Sequence, residues 1–228
     1  MINFPSIDFD LELPAALVVI DLQPCGVDPR HGLAKALETG APGYTRHLVG
    51  RMRTTVTPAV NALLAAFHAA RQPVYLTAFA SAAGDGSDVR TASIRKRNAE
   101  RLARTGSSVV LPRSDPATDI IATLDVGPDD RILVKQSMDA FATTDLAQDL
   151  QRRAVRTLLV TGVYTDACVE STARTAAELG YPVFVVEDAC AAWDPAFHDA
   201  SLQNLGRYFA RVASSGEVVD LLRRRAGA

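Results

Sequence analysis

The stretch "VRTLLVTGVYTDACVESTARTAAELGYPVFVVEDA", residues 155–189, decides the fold. Its apolar runs at 158–160 and 183–186 predict two buried strands, and the segment 169–179 between them has the character of a helix. Strands that are apolar along their whole length and joined by a helix are typical of a parallel sheet covered on both faces. The stretch therefore predicts one strand–helix–strand unit of an α/β protein.

The same alternation runs along the rest of the chain. We predict strands at 15–21, 73–79, 131–136, 155–163, 182–189 and 211–214. We predict further helices at 55–71, 144–153, 197–210 and 216–227. This pattern favours a doubly wound parallel sheet within a single domain spanning residues 1–228. Two long stretches, 23–51 and 80–119, are expected to be irregular and to form lids, because each follows the carboxyl end of a strand.

Composition bounds the kinds of partner that we expect. The 228 residues are 48% hydrophobic and 22% charged, with a net charge of −2, which argues against nucleic-acid and membrane partners. The basic stretch 95–104 is expected to be a solvated helix face. No signal peptide is expected, and three widely spaced cysteines do not form a disulfide framework, so we predict a cytoplasmic protein.

Three polar side chains are predicted at or just after the carboxyl ends of strands, where ligand sites of such sheets lie. They are Asp21, Lys135 and Cys168. Cys168 opens a predicted helix, and helix starts and nearby cations favour the nucleophilic thiolate. A carboxylate such as Asp21 could take the thiol proton, and the charge of Lys135 could stabilise the anions that develop.

Each of these residues also has a structural interpretation when it is taken alone. Cys168 could be a small buried hydrophobic residue, as we expect of Cys25 and Cys190, and Asp21 could cap a helix. Lys135 could extend from a strand end into solvent. The occurrence of all three at separate strand ends favours a shared site.

Three segments carry a resemblance to a known family. "VVIDLQ" (18–23), "KQSMDAFATTDL" (135–146) and "TGVYTDACVESTARTAAELGYPVFVVEDACAA" (161–192) resemble the motif blocks of isochorismatase-like cysteine hydrolases. The resemblance implies a six-stranded sheet of order 3-2-1-4-5-6 and a catalytic triad of Cys168, Asp21 and Lys135. It also implies a cis peptide bond between Val163 and Tyr164, and an oxyanion hole formed by the N–H groups of Tyr164 and Cys168.

The motifs also suggest a branch of the family. The stretch "LTAFASAAGDGSD" (76–88) lacks the Asp-x-His metal motif of nicotinamidases, and the four histidines lack ligand spacing, so we predict no metal and no cofactor. A cysteine at position 168 favours amide chemistry over the ether chemistry of isochorismatases. The chain is thus similar to N-carbamoylsarcosine amidase, ureidoacrylate hydrolase and biuret hydrolase, which implies C–N cleavage of a small carbamoyl, ureido or linear amide compound through a thioester, releasing ammonia or an amine.

Two alternatives stay open, a vinyl ether hydrolase of the isochorismatase type and a non-catalytic binding protein on the same fold. The expected partners are a small-molecule substrate and further copies of the chain, in a dimer or tetramer. The candidate substrate-binding residues are Gln23, Tyr44, Phe141, Tyr164 and Trp193.

Overall fold

The computed structural model describes residues 7–227, which form a six-stranded parallel sheet between two layers of helices. The strands are β1 (Ala15–Ile20), β2 (Val74–Phe79), β3 (Arg131–Lys135), β4 (Thr157–Val163), β5 (Val183–Ala191) and β6 (Arg211–Ala213). Their spatial order is β3-β2-β1-β4-β5-β6, and all neighbouring pairs are parallel. The predicted α/β class and strand order are confirmed.

Nine α-helices connect and flank the strands within the described residues. They are α1 (Pro24–Val27), α2 (Gly32–Gly40), α3 (Arg46–Arg51), α4 (Thr57–Ala69), α5 (Ala92–Thr105), α6 (Leu146–Arg152), α7 (Glu170–Glu178), α8 (Pro195–Tyr208) and α9 (Ser215–Ala226). Two π-helical turns, Met52–Val56 and Thr165–Val169, precede α4 and α7. The expectation that 23–51 and 80–119 are irregular is wrong, since α1, α2 and α3 lie in the first stretch and α5 in the second. None of the helices described here is long and apolar enough to cross a bilayer.

Alternate residues of the strands supply two hydrophobic cores, one on each face of the sheet. On β1, Leu17 and Val19 join the core that packs under α4 and α9, whereas Val18 and Ile20 join the opposite core under α6, α7 and α8. A strand covered on both faces is apolar along most of its length, which explains the unbroken run from Ala15 to Ile20.

The strand order reverses at β1, which has β2 on one side and β4 on the other. The connection that leaves β1 leads to β2 on one side and the connection that leaves β4 leads to β5 on the other, so a crevice opens between the carboxyl ends of β1 and β4. The register pairs Ile20 with Gly162, which brings the residues that follow β1 next to those that follow β4.

A buried hydroxyl in β4 gives a prediction about stability. Thr161 is fully buried, and its Oγ1 has no hydrogen-bond partner among residues 7–227. Thr161→Val removes the unsatisfied hydroxyl at nearly constant shape, so we expect the free energy of unfolding to rise by roughly 1–2 kcal/mol. Urea unfolding followed by circular dichroism measures the change.

Thr157 in the same strand is the matched control. It is also fully buried, but its Oγ1 accepts a hydrogen bond from the Glu12 N–H at 2.9 Å. Thr157→Val should therefore lower the free energy of unfolding by about 1 kcal/mol. Destabilisation of similar size in both variants would contradict the prediction for Thr161.

Candidate active site

Asp21 is held at the end of β1 by hydrogen bonds to the neighbouring strand. Its backbone lies in the left-handed region with φ 50°, a conformation that aspartate tolerates better than most residues. The Thr77 hydroxyl donates to Asp21 Oδ1 at 2.7 Å, and the Asp21 N–H donates to the Thr77 carbonyl at 3.2 Å. Thr77 thus fixes the carboxylate and leaves Oδ2 directed at the third strand.

Lys135 extends from the end of β3 into the same crevice. Its side chain is fully buried, and Nζ lies 2.7 Å from Asp21 Oδ2. Nζ also donates to the carbonyls of Ser137 at 2.8 Å and Met138 at 3.2 Å, and it lies 5.0 Å from the centroid of the Phe79 ring. The ammonium group is therefore held in one position by three oxygen acceptors.

Cys168 lies in the π-helical turn that joins β4 to α7. The Ala167 and Val169 N–H groups both donate to the Tyr164 carbonyl, at 3.0 and 3.2 Å, which closes the turn around Cys168. The peptide bond between Val163 and Tyr164 is cis. Cys168 remains partly accessible to solvent, and its thiol lies within interaction range of Asp21 and Lys135. The structure thus brings together the three side chains that the sequence places at separate strand ends.

Burial dominates the electrostatics of this group. It raises the pKa of the Cys168 thiol to about 12; the charge of Lys135 opposes this increase, and that of Asp21 adds to it. Burial alone would lower the pKa of Lys135, but the charge of Asp21, together with that of Cys168 in its thiolate form, outweighs burial and the pKa is raised. Burial therefore favours the neutral thiol of Cys168, beside the Asp21–Lys135 ion pair, over the thiolate that the sequence suggested.

Three aromatic side chains form a row beside this site. Tyr164 lies 4.8 Å from Trp193 between ring centroids, and Trp193 stacks on Tyr44 at 6.0 Å. The Tyr164 hydroxyl donates to the Gly26 carbonyl at 2.7 Å, while Tyr44 is 42% exposed. The row, which we call the aromatic row, runs from four residues before Cys168 to the protein surface.

Gln23 is placed differently from what its sequence position suggested. Its side chain is 1% exposed; it donates to the carbonyls of Thr118 at 2.6 Å and Phe79 at 3.3 Å, and accepts from the Phe79 N–H at 2.8 Å. These bonds join the ends of β1 and β2 to the 3₁₀ turn Pro116–Thr118. The hydrogen-bonding groups of the Gln23 amide are thus used internally, which argues against the expected binding of a substrate by this side chain.

Phe141 lies in the loop after β3 and packs against the same core cluster as Cys168. That loop is tied to α7 by two hydrogen bonds, from the Ala140 N–H to Thr172 Oγ1 at 3.1 Å and from the Thr175 hydroxyl to Asp139 at 3.1 Å. Phe141 is therefore held beside α7, on the opposite face of the sheet from the core against which Trp193 packs.

Two cavities occur elsewhere on the surface. The larger, of about 630 Å³, is lined by α2 and α3 with the loop between them, including Thr45 and Arg46 next to Tyr44. The smaller, of about 330 Å³, lies near Thr118 and Ile132. Among the described residues, no three His, Cys, Asp or Glu side chains form a group that could hold a metal ion.

Two residues that lie near the site, Thr77 and His198, are not among those predicted from the sequence. Thr77 sits within an apolar strand, where its pairing with Asp21 depends on strand order and register. His198 contacts Thr165, at the start of the turn that carries Cys168, although 33 residues separate the two. A polar residue inside a buried strand was a usable signal for Thr77, whereas nothing in the spacing pointed to His198.

Comparison with known proteins places this geometry in a family. The Isochorismatase domain model matches residues 15–217. An uncharacterized isochorismatase family protein, YecD of Escherichia coli O157:H7, is 34% identical over 218 residues, covering 93% of this chain and all of the relative. Streptothricin hydrolase of Streptomyces noursei is 35% identical over 138 residues, covering 55% of this chain and 50% of the relative.

A solved structure with a similar fold supports the sequence matches to this family. A cysteine hydrolase from Pseudomonas syringae pv. phaseolicola 1448A superposes with a TM-score of 0.79 at 25% identity, covering 98% of this chain and all of that chain. Fold and comparisons together define the class as an α/β cysteine hydrolase. The chain belongs to the isochorismatase family, as its motif blocks suggested.

Proposed function

We propose that the protein hydrolyses the C–N bond of a small carbamoyl, ureido or linear amide compound through a thioester on Cys168. The observation that carries the proposal is the arrangement of Cys168, a half-buried residue, beside a carboxylate that Thr77 and Lys135 hold in place. The name of the relative streptothricin hydrolase supports a hydrolytic reaction.

The first half of the reaction follows from the resting charges. The Cys168 proton moves to Asp21 as the sulfur attacks the carbonyl carbon, so the thiolate forms only when substrate is present. The N–H groups of Tyr164 and Cys168 would donate to the developing oxyanion, and the ammonium of Lys135 would stabilise the added negative charge. Asp21 then returns the proton to the nitrogen, and ammonia or an amine leaves as the C–N bond breaks.

The second half resolves the thioester. Asp21, again a carboxylate, takes a proton from water as the water oxygen attacks the thioester carbon. The C–S bond breaks and the proton returns to sulfur, which restores the thiol and releases the acid. Both halves use the same three side chains, and each side chain ends the cycle in its starting protonation state.

The aromatic row is the proposed wall for the part of the substrate that extends from the reacting carbonyl. Tyr164, Trp193 and Tyr44 offer flat apolar surfaces that run from the residue four positions before Cys168 to the exposed ring of Tyr44. Phe141, which packs against the same core cluster as Cys168, is the candidate on the other face of the sheet. Gln23 has no place in this binding surface.

The test is a screen for ammonia release from small ureido, carbamoyl and amide compounds, with intact-mass detection of the thioester. We expect Cys168→Ala to lower turnover by roughly a thousandfold or more and to abolish the covalent adduct. Cys190→Ala is the matched control, since Cys190 is fully buried in β5 and should leave turnover near the wild-type value. Turnover that persists in Cys168→Ala would contradict the mechanism, and cleavage of isochorismate alone would point to an ether hydrolase.

A further inference from the structure

His198 is a buried titratable residue that the proposed reaction does not use. It lies in the first turn of α8, and both ring nitrogens have partners. Nε2 lies 3.0 Å from an Arg51 guanidinium nitrogen, and Nδ1 lies 2.8 Å from Thr165 Oγ1. The imidazole therefore connects α3 to the start of the π-helical turn Thr165–Val169, which carries Cys168 and which we call the nucleophile turn.

The donors and acceptors of this bridge fix the state of the ring. A guanidinium group has only donors, so Nε2 must accept and cannot carry a hydrogen. A neutral imidazole then carries its hydrogen on Nδ1, which donates to the Thr165 hydroxyl. Arg51 also donates to the carbonyls of Cys190 at 2.9 Å and Glu187 at 2.8 Å, so it is held against the ring.

The contacts of α8 converge on the turn that holds Cys168. Thr165 is the first residue of that turn, and it directly follows Tyr164. Ser201, nearly one helical turn after His198, donates to the Thr165 carbonyl at 3.4 Å and contacts Glu170 at the start of α7. Helix α8 thus contacts the nucleophile turn twice, through the side chain of Thr165 and through its backbone carbonyl.

We propose that neutral His198, as the Nδ1–H tautomer fixed by Arg51, is a positioning residue that sets the Thr165 hydroxyl and with it the turn carrying Cys168. This role rests on the proposed function only in that Cys168 is the nucleophile. It acts through Thr165 and touches neither substrate nor the reacting atoms.

The surroundings of His198 favour this neutral form. Burial lowers its pKa to about 4, and the positive charges of Arg51 and, when protonated, His47 on α3 act in the same direction. Asp199, the next residue of α8, opposes them. Because the pKa is lower in the folded chain, folding is favoured above the unfolded value of 6.5 and this contribution is lost as pH falls toward 4.

Nitrogen-15 spectra of histidine-labelled protein test the tautomer without any substrate, with the His198 resonances assigned by their absence in His198→Asn. We expect Nδ1 to be protonated and Nε2 to be an acceptor from pH 8 down to about pH 5. A ring protonated on Nε2, or an imidazolium at pH 7, would overturn the proposal.

Paired substitutions test the positioning. In His198→Asn the side-chain amide nitrogen sits near the former Nδ1 and can still donate to Thr165, whereas in His198→Gln it sits near the former Nε2 and cannot. We expect the rate of Cys168 alkylation by iodoacetamide, and kcat where a substrate is known, to fall about tenfold in His198→Gln and no more than about threefold in His198→Asn, with KM unchanged. His68→Asn is the control, because His68 pairs with Asp130 away from the site.

A second pair of substitutions changes Thr165, whose hydroxyl accepts the hydrogen bond from His198 Nδ1. Thr165→Ser keeps the hydroxyl and should retain the wild-type alkylation rate, while Thr165→Val should reproduce the loss seen in His198→Gln. Equal rates in the Asn and Gln variants, or in the Ser and Val variants, would show that the bridge is only structural and would overturn the proposal. Alkylation measures the reactivity of the Cys168 thiol directly. These results can therefore be interpreted even if no hydrolysed substrate is found.

Discussion

Asp21→Asn is expected to reduce hydrolysis by about a thousandfold while leaving Cys168 at least as reactive toward iodoacetamide at pH 7 as in the wild type. The loss follows because asparagine cannot take the thiol proton or return it to the leaving nitrogen. The thiol stays reactive because the Asp21 charge raises its pKa, whereas the Lys135 charge lowers it. Removing the carboxylate leaves thiol and ammonium as direct partners, which favours the thiolate.

The measurement is a comparison of two rates on the same preparations, ammonia release with a substrate and alkylation of Cys168 followed by mass spectrometry across pH. The alkylation profile of Asp21→Asn should shift to lower pH, because the folded-state pKa of the thiol falls. Asp129→Asn removes an exposed carboxylate and should change neither rate. Parallel loss of hydrolysis and alkylation in Asp21→Asn would mean that the carboxylate activates the resting thiol, and the proposed proton transfer would be wrong.

The architecture was accessible from the sequence because burial on both faces leaves a strong pattern. The unbroken apolar run of β1 and the shorter apolar runs of β4 and β5 predicted a parallel sheet, while the strand order came from the resemblance to the family. Helix α5 was expected only as a solvated helix face over 95–104, without its full extent, because it buries only Asn98 and so lacks an apolar stripe.

The site was only partly accessible, for a physical reason. The rule that ligands bind at strand ends brings Asp21, Lys135 and Cys168 to one edge, and the structure places them together. The internal bonding of the candidate Gln23 could not be predicted, because its partners at Phe79 and Thr118 lie 56 and 95 residues away and depend on tertiary contacts. The effect of burial on the Cys168 thiol, which raises its pKa against the opposing charge of Lys135, is invisible in the sequence.

Gly162 in β4 packs directly against Ile20 at the end of β1, next to Asp21 of the candidate site. Its φ of +105° lies in a region that L-residues rarely adopt, at the point where the pairing of β4 with β5 shifts register. A Cβ at this position would lie 2.1 Å from the carbonyl oxygen of Ile20 and 2.6 Å from its nitrogen. Since Ile20 directly precedes Asp21, any relief of this clash would displace the end of β1.

Gly162→Ala is therefore expected to lower the free energy of unfolding by about 4 kcal/mol, the sum of backbone strain and overpacking against main-chain atoms that cannot rotate away. Urea unfolding by circular dichroism measures the loss, and the soluble fraction on expression reports it where the variant does not fold. Gly50→Ala is the matched control, since a Cβ there meets nothing within 4 Å and the residue lies in α3, so stabilisation by about 0.5–1 kcal/mol is expected. If Gly162→Ala unfolded within about 1 kcal/mol of the wild type, β4 would have room to shift away from Ile20, and the close contact of the two strands could not be what fixes the position of Asp21.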